Sequence, residues 1–272
     1  MQRWSQTLWT MVLGWLILAL VQDVGGDWNN GSMSKSSGWA HGPWIGFDTE
    51  TTGVSPLRDR IVTAATVRRD PLTVGRGDAC DEVRTWLANP GVPIPASAAS
   101  IHGISTEHAE LHGRPAAHVV EEVVADLADG LAGGGTIVVF NAGFDLPLLD
   151  AEAARNRVAS LRDRVSDGFV AVADPLVLDR ALDPYRKGKR TLADLADVYG
   201  VKVPSDTHQA HVDATLTLDL LAALVERYPV LEQMGAAELH EFQVNAHRDW
   251  AVNFQAFMRS KGRDVTIDPN WF

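Results

Sequence analysis

The sequence has few cysteines and an excess of negative charge, and both features limit what the protein can do. Cys80 is the only cysteine among 272 residues, which excludes an intramolecular disulfide and a zinc site built from several cysteines. The 24 Lys and Arg residues against 35 Asp and Glu residues give a formal net charge of -11 at pH 7. This balance argues against a protein that coats long nucleic acids, because such binding needs many cations to neutralise phosphates. It leaves room for an enzyme that holds only a chain end, if divalent metal supplies local positive charge.

The sequence also has no apolar run long enough to span a bilayer. Leu8 to Val21 is almost continuously apolar, but its 14 residues fall short of the roughly 20 that a transmembrane helix needs. Three interpretations are open: an upstream extension before a true start at Met33, a signal or membrane-interacting segment, or a structured part of the fold. We expect residues 1–42 to be an apolar segment and flexible linker. We expect a cytoplasmic protein with no firm membrane partner, unless this segment directs it to a membrane.

From Trp44 onward the pattern is typical of an α/β fold. Runs of β-branched and apolar residues predict strands, and apolar residues at helical spacing predict helices. The predicted strands cover residues 44–48, 60–67, 81–87, 136–140 and 169–173. The predicted helices cover residues 117–131, 141–154 with Asn141 as N-cap, 191–199, 211–228 and 236–260. Residues 90–95 are irregular and lead into a predicted loop over 101–105. We expect one domain over 43–229 and a helical tail over 230–272.

Two carboxylates stand at the end of the first predicted strand, in the segment WIGFDTETTG. Residues i and i+2 of a strand point to one face about 6.6 Å apart, so Asp48 and Glu50 project together. Two carboxylates at that distance repel each other, which raises the pKa of both. Divalent Mg²⁺ or Mn²⁺ relieves this repulsion, and two ions about 3.5 to 4 Å apart can clamp the attacking and leaving oxygens of a phosphodiester.

Further polar side chains stand where α/β proteins place their sites. Asp145 follows a wholly apolar predicted strand, and Asp213 lies in the first turn of the helix predicted over 211–228. His208 precedes Asp213 by five residues and can take a proton from a water beside that acid. Each acid can instead favour a helix N-terminus, and His208 can be an ordinary loop histidine, with His211 as a competitor for the same role.

Three motifs connect these residues to a known family: FDTETTGVSP, VVFNAGFDLPLL and HQAHVDATLTLDLL. The stretches NPGVPIPASAASIHGIS, DPLVLDRAL and KRTLADLADVYGV accompany them. In these segments the chain resembles the DnaQ-like 3'-5' exonucleases of the DEDDh type, from about Trp44 to Arg227. One departure is Phe140, at a position where similar sequences often have His.

The resemblance implies an α/β fold, an RNase H-like mixed five-stranded sheet flanked by helices. It implies two divalent cations, Mg²⁺ or Mn²⁺, and its H-x4-D spacing selects His208 rather than His211 as general base. The implied metal ligands are Asp48, Glu50, Asp145 and Asp213, and Glu50 also counts as catalytic with His208. The implied substrate-binding residues, near the terminal nucleotide, are Thr51, His102 and Phe144.

The implied function is hydrolysis of the terminal phosphodiester of single-stranded or frayed DNA, which releases nucleoside 5'-monophosphates in proofreading or repair. An exoribonuclease of the same family is the first alternative, since the same residues serve both sugars. A non-catalytic polymerase-binding module is the second. The aromatic residues of the tail predict packing onto its own domain, with a DNA polymerase or clamp partner as the other interpretation. The basic run RKGKR, residues 186–190, is either a phosphate contact or a solvated loop.

Overall fold

The computed structural model describes residues 38–70, 81–205 and 208–272. Within them, a six-stranded mixed sheet carries helices on both faces. The strands are β1 (Trp44–Thr51), β2 (Ile61–Arg69), β3 (Glu82–Asn89), β4 (Arg114–Pro115), β5 (Thr136–Val138) and β6 (Val172–Ala173). The helices are α1 (Ala96–His102), α2 (Thr106–His112), α3 (Ala116–Ala132), α4 (Ala142–Asn156), α5 (Leu161–Arg164), α6 (Pro175–Leu182), α7 (Leu192–Val198), α8 (Ala210–Arg227) and α9 (Ala236–Ser260), with short 3-10 turns at Trp39–His41 and Pro229–Gln233.

The strand order β4-β3-β2-β1-β5-β6 places β1 in the middle of the sheet. β1 pairs antiparallel with β2 along its length, but parallel with β5 only from Trp44 to Gly46. The second half of β1 therefore extends past the end of β5, where the chain turns into α4. This overhang places the first predicted acid pair beside the start of α4.

Alternate residues of β1 contact different helical layers, as the two-residue period of a strand requires. Ile45 and Phe47 pack in a core with α3 and α4. Trp44 packs on the opposite face with α8 and the 3-10 turn at Pro229–Gln233. Both layers are well filled, since Ile45 and Phe47 are at most 1% exposed on one face and Trp44 is 2% exposed on the other.

The sequence predicted the fold class correctly, but one strand and four helices were not predicted. The sheet has six strands rather than five, because the two residues of β4 pair with β3 and are too few to show strand alternation. The unpredicted helices α1, α2 and α6 span seven or eight residues each and α5 spans four, which is at most about two turns of apolar periodicity. The predicted loop over 101–105 was wrong at Ile101 and His102, which end α1 before Gly103 adopts a left-handed φ of 77°.

The junction between β5 and α4 has an uncommon backbone conformation. Asn141 occupies the predicted N-cap position with φ 67° and ψ 51°, and its side chain makes no capping hydrogen bond. Asparagine is one of the few non-glycine residues that tolerates this left-handed region. The buried carboxylate of Asp174 caps α4 instead, since it accepts hydrogen bonds from the backbone N–H groups of Asn141 at 3.0 Å and Ala142 at 2.9 Å.

Two arginines of the basic run 186–190 have a structural partner. The carboxylate of Asp179, on α6, is 0% exposed and accepts from Arg186, Arg190 and the hydroxyl of Tyr199. The guanidinium groups are thus held by a buried acid, which would be costly to bury alone. Lys187 and Lys189 remain exposed, so they are the residues of this run that can meet a phosphate.

The tail packs back onto the domain, as the sequence predicted. Leu239 and Phe242 of α9 join the core on the α8 side, and the chain after α9 returns along it until Trp271 is 4% exposed in the other core. Among the described residues, no helix combines the length and apolar character that crossing a bilayer requires. The apolar run 8–21 and Cys80 lie outside the described residues.

Candidate active site

Three carboxylates converge at the overhanging end of β1. Asp48 and Glu50 lie on one face of the strand, two residues apart, and Asp213 reaches them from the first turn of α8. One carboxylate oxygen from each of the three lies within 4.8 Å of the others. The structure therefore brings together residues that are 165 positions apart in sequence, and these three are among the four acids that the family resemblance implies as metal ligands.

A glycine allows α8 to approach β1 this closely. Gly46 lies on the same face of β1 as Asp48, and a Cβ atom at position 46 would sit 2.9 Å from the carbonyl oxygen of Ala214. It would also meet the side chain of Leu218 at 3.0 Å. Because Ala214 follows Asp213 directly, this contact sets how near Asp213 comes to the strand.

Asp145 lies in the first turn of α4 and is 4% exposed. It is not a member of the three-oxygen cluster, but its charge raises the pKa of both Asp48 and Glu50. The hydroxyl of Thr49 donates a hydrogen bond of 2.6 Å to Asp145 Oδ1. Thr49 thus ties the fourth acid to the strand that carries the first two.

The acids of the site hold protons more tightly than isolated carboxyls do. Burial, with the charges of Asp213 and Asp145, raises the pKa of Glu50 from 4.5 to about 8. Burial and the neighbouring acids raise the pKa of Asp48 well above its usual range. Burial raises the pKa of Asp145 to about 7, although the Thr49 hydrogen bond opposes the shift, and burial also raises that of Asp213. A bound cation would offset the repulsion among these carboxylates and favour their charged forms.

His208 lies next to Asp213. Its backbone N–H donates to Asp213 Oδ2 at 3.2 Å, and its imidazole is close enough for its charge to lower the pKa of that acid. The side chain is exposed, and its φ of 73° is in the left-handed region. A residue held in this region is often found at functional sites, where the surrounding contacts maintain the strain.

Two of the three predicted nucleotide contacts lie together. The Thr51 hydroxyl donates to the carbonyl of Gly53 at 2.6 Å, a turn-forming bond, while the imidazole of His102 lies against the Thr51 backbone. Burial lowers the pKa of His102, so the ring is neutral near pH 7. Phe144, in the first turn of α4, packs against the core that this helix shares with β1. Phe140, the departure from the family pattern, packs instead with Leu176 and Leu195 on the other side of the sheet.

Two residues that shape the site were not predicted. Thr49 reaches Asp145 across 96 positions and Asp174 reaches Asn141 across 33, and no local pattern encodes such contacts. One of the two roles of Asp174, the capping of α6, could have been predicted from the sequence. It precedes Pro175, and Asp followed by Pro at the first helical position is a common helix start; here it also accepts from Leu176 N at 2.9 Å.

The donor set fits a hard divalent cation. All three clustered groups are carboxylates, which are the ligands that Mg²⁺ and Mn²⁺ prefer, and no thiolate or imidazole belongs to the cluster. Within the described part of the chain, Asp48, Glu50 and Asp213 are the acids whose oxygen atoms lie close enough together to hold a metal ion.

Comparison with known proteins agrees with this geometry. Residues 45–221 match the RNase_T family model, described as "Exonuclease". The chain is 32% identical over 194 residues to a DNA polymerase III subunit epsilon-like protein of Rhodobacter capsulatus, covering 71% of this chain and 24% of the relative. It is 24% identical over 224 residues to the PolC-type DNA polymerase III of Streptococcus thermophilus, covering 82% and 13%. The chain therefore spans about a quarter or less of the length of these relatives.

A solved structure shares the fold. The structure of Escherichia coli Exonuclease I in complex with a dA16 oligonucleotide has a TM-score of 0.59 and 19% identity, covering 76% of this chain and 44% of that one. The family model matches well over half of the chain, and it includes all four acids and the histidine described above. The chain therefore belongs to the DnaQ-like exonuclease family.

Proposed function

We propose that the chain is a metal-dependent 3'-5' exonuclease that removes nucleotides from single-stranded or frayed DNA. The observation that carries this proposal is the convergence of Asp48, Glu50 and Asp213 within 4.8 Å, with His208 beside Asp213. Two kinds of relative, a DNA polymerase III subunit epsilon-like protein and PolC-type DNA polymerase III, support DNA as the substrate. An exonuclease of the same fold solved with a DNA oligonucleotide agrees with this proposal.

The chain supplies ligands, a base and a positioning surface. Asp48, Glu50 and Asp213 would hold the ions, and Asp145, whose charge already acts on the first two, completes the set. When bound, two Mg²⁺ or Mn²⁺ ions would supply the positive charge that activates a water and stabilises the departing 3'-oxygen.

His208 would accept the proton of the attacking water, since its exposed side chain is beside Asp213 and imidazole is the side-chain group most often used as a general base. Thr51, His102 and Phe144 would line the pocket of the terminal nucleotide. Because a base must enter that pocket, a paired end would have to fray first. Hydrolysis of the last phosphodiester would release a nucleoside 5'-monophosphate.

The direct test is Mg²⁺-dependent shortening of a labelled single-stranded DNA. Asp213→Asn should reduce the rate to background, and His208→Ala should reduce it by about 100-fold or more, in the range of general acid-base contributions. Matched controls are Asp197→Asn, at an exposed acid of α7, and His211→Ala, at the competing histidine. Full activity in Asp213→Asn, or loss only in His211→Ala, would reject these roles.

The direction of hydrolysis and the preference for DNA or RNA need to be tested with separate substrates. Label at the 5' end should yield a ladder of progressively shorter products, and label at the 3' end should yield a mononucleotide at once. Matched DNA and RNA oligonucleotides then distinguish the proposed DNA exonuclease from an exoribonuclease. No turnover on either, combined with Mn²⁺ binding and recovery of a polymerase, would favour the non-catalytic module.

The surface that we propose for a polymerase or clamp partner lies on the tail. Trp250, Phe254 and Phe257 form a row of neighbouring rings on α9, and Phe257 is 54% exposed. We propose this row as the partner contact, since Phe242 and Trp271 are committed to the core. Phe257→Ser should weaken binding to a purified replicative polymerase without changing hydrolysis of a short oligonucleotide.

A further inference from the structure

We infer that Trp271 is a positioning residue of the nuclease site, acting through Asp174 on the helix start that carries Asp145. The inference rests on the proposed function, because Asp145 is placed there among the metal ligands. It assigns a role to the segment after α9, which the sequence pattern connects with no chemistry.

Asp174 is the centre of the arrangement. Its carboxylate is 1% exposed and caps two helices, since it accepts from Asn141 N and Ala142 N at the start of α4 and from Leu176 N at the start of α6. Its own backbone N–H donates to the side chain of Gln243, on α9, at 2.7 Å. A buried acid with several donors is held firmly in place.

Trp271 supplies a side-chain donor to this carboxylate. Its indole Nε1–H lies 3.3 Å from Asp174 Oδ2, the same oxygen that accepts from Ala142. The ring is 4% exposed and is packed by His240 at 5.8 Å and Phe272 at 4.6 Å between ring centroids. The indole is thus fixed by packing as well as by the hydrogen bond.

Trp271 also contacts the backbone of α4 directly. A Cβ atom at Gly143 would lie 2.8 Å from the carbonyl oxygen of Trp271, so position 143 leaves space that the returning chain fills. Gly143 is two residues before Asp145. The first turn of α4 is therefore held from one side by Thr49, through Asp145 itself, and from the other by Trp271.

The first test measures position rather than activity. In the full chain, Trp271→Phe keeps an aromatic ring but removes the indole donor. Hydrogen exchange of the backbone amides of Asn141 and Ala142 should become about tenfold faster, because their acceptor loses its support. Trp86→Phe is the matched control, since the Trp86 indole also donates to a carboxylate, that of Glu122, at 3.0 Å. It should leave those amides unchanged.

The second test measures the site. Loss of an outer partner of a metal ligand typically lowers metal affinity or activity by about 10- to 100-fold. We expect Trp271→Phe to weaken Mn²⁺ binding by calorimetry and to lower kcat, each by about tenfold, with little change in KM. Gly143→Ala should produce the same pattern, because its Cβ would displace the Trp271 carbonyl.

Clear outcomes separate this inference from the proposed function. Faster exchange at 141 and 142 together with weaker Mn²⁺ binding supports the positioning role even if the wild-type chain hydrolyses no DNA. Unchanged exchange and Mn²⁺ affinity in Trp271→Phe would overturn it even if the wild-type chain is an active nuclease. Equal changes in Trp86→Phe would also overturn it, because they would reflect general destabilisation.

Discussion

Asp48 carries a charge that the metal-free fold does not favour, since burial and three neighbouring acids raise its pKa. We expect Asp48→Asn to stabilise the metal-free protein by about 1 kcal/mol, which corresponds to about 2–4 °C in melting temperature for a domain of this size. The same change should abolish nuclease activity, because it removes a proposed metal ligand. Calorimetry in EDTA measures the first effect and an oligonucleotide assay the second.

The control for that prediction is Asp197→Asn, which removes an acid of equal charge from the exposed surface of α7. Exposed charges change stability by little, so its melting temperature should match that of the wild type. A lower melting temperature in Asp48→Asn would contradict the repulsion argument, since it would mean that the carboxylate at position 48 stabilises the empty site.

For single residues, the sequence indicated which face of a strand a side chain occupies but not which distant side chain it contacts. Asp48 and Glu50 share a face because strand periodicity is a local property, whereas the approach of Asp213 was implied only by the family resemblance. The partners of Asp145 and Asn141 could not be predicted in the same way. Thr49 and Asp174 reach them only after the sheet has formed, so the sequence shows each as an ordinary polar residue.

Between elements, the approach of α8 to β1 controls the site. Gly46→Ala would place a methyl group 2.9 Å from the Ala214 carbonyl, so α8 must move away and take Asp213 with it. We expect a loss of about 1–3 kcal/mol in the free energy of unfolding, the usual range for overpacking. Mn²⁺ affinity should fall by about tenfold or more, because displaced ligands bind poorly. Urea unfolding and calorimetry measure the two effects.

Gly235→Ala serves as the control for Gly46→Ala. The nearest atom to its added Cβ would be Glu238 Oε2, at 3.6 Å, which is ordinary van der Waals contact at the end of a flexible side chain. Both stability and Mn²⁺ affinity should stay close to wild type. Equal Mn²⁺ affinity in the two variants would show that α8 can retreat without moving Asp213.

The elements that the sequence predicted well are the long ones. α9 has the bounds predicted for it, and α3 and α8 differ by one residue at each end, because several turns of apolar residues define a helix face. β5 is two residues shorter than predicted, since the apolar run continues through Val139 and Phe140 while the backbone already turns toward α4. Apolar character at these two positions indicates burial, whereas the end of the strand is defined by where its pairing within the sheet stops.

For the molecule as a whole, the acids of the site link stability to pH. Glu50 has a pKa of about 8 in the folded chain against 4.5 ordinarily, and Asp145 about 7 against 3.8. The folded state therefore binds more protons than the unfolded state between about pH 4.5 and 8, so stability falls as pH rises through this window. We expect the melting temperature in EDTA to decrease between about pH 5.5 and about pH 8, both of which lie within this window.

Saturating Mn²⁺ should oppose this decrease. Metal binding requires deprotonated carboxylates. The increase in melting temperature on adding Mn²⁺ should therefore be larger at about pH 8 than at about pH 5.5. Asp213→Asn, which lacks one clustered ligand, should show a smaller increase at both. An increase that shrinks as pH rises would count against a carboxylate metal site.

The left-handed backbone at Asn141 restricts how this region can evolve. In a codon-randomised library at position 141, selected for nuclease function, glycine and aspartate should survive beside asparagine, because these residues visit that conformation at little cost. Valine and isoleucine should be lost earliest, since branching at Cβ makes the same dihedral angles strained. Natural drift at this junction is thus confined to a few short side chains, however freely the surrounding surface changes.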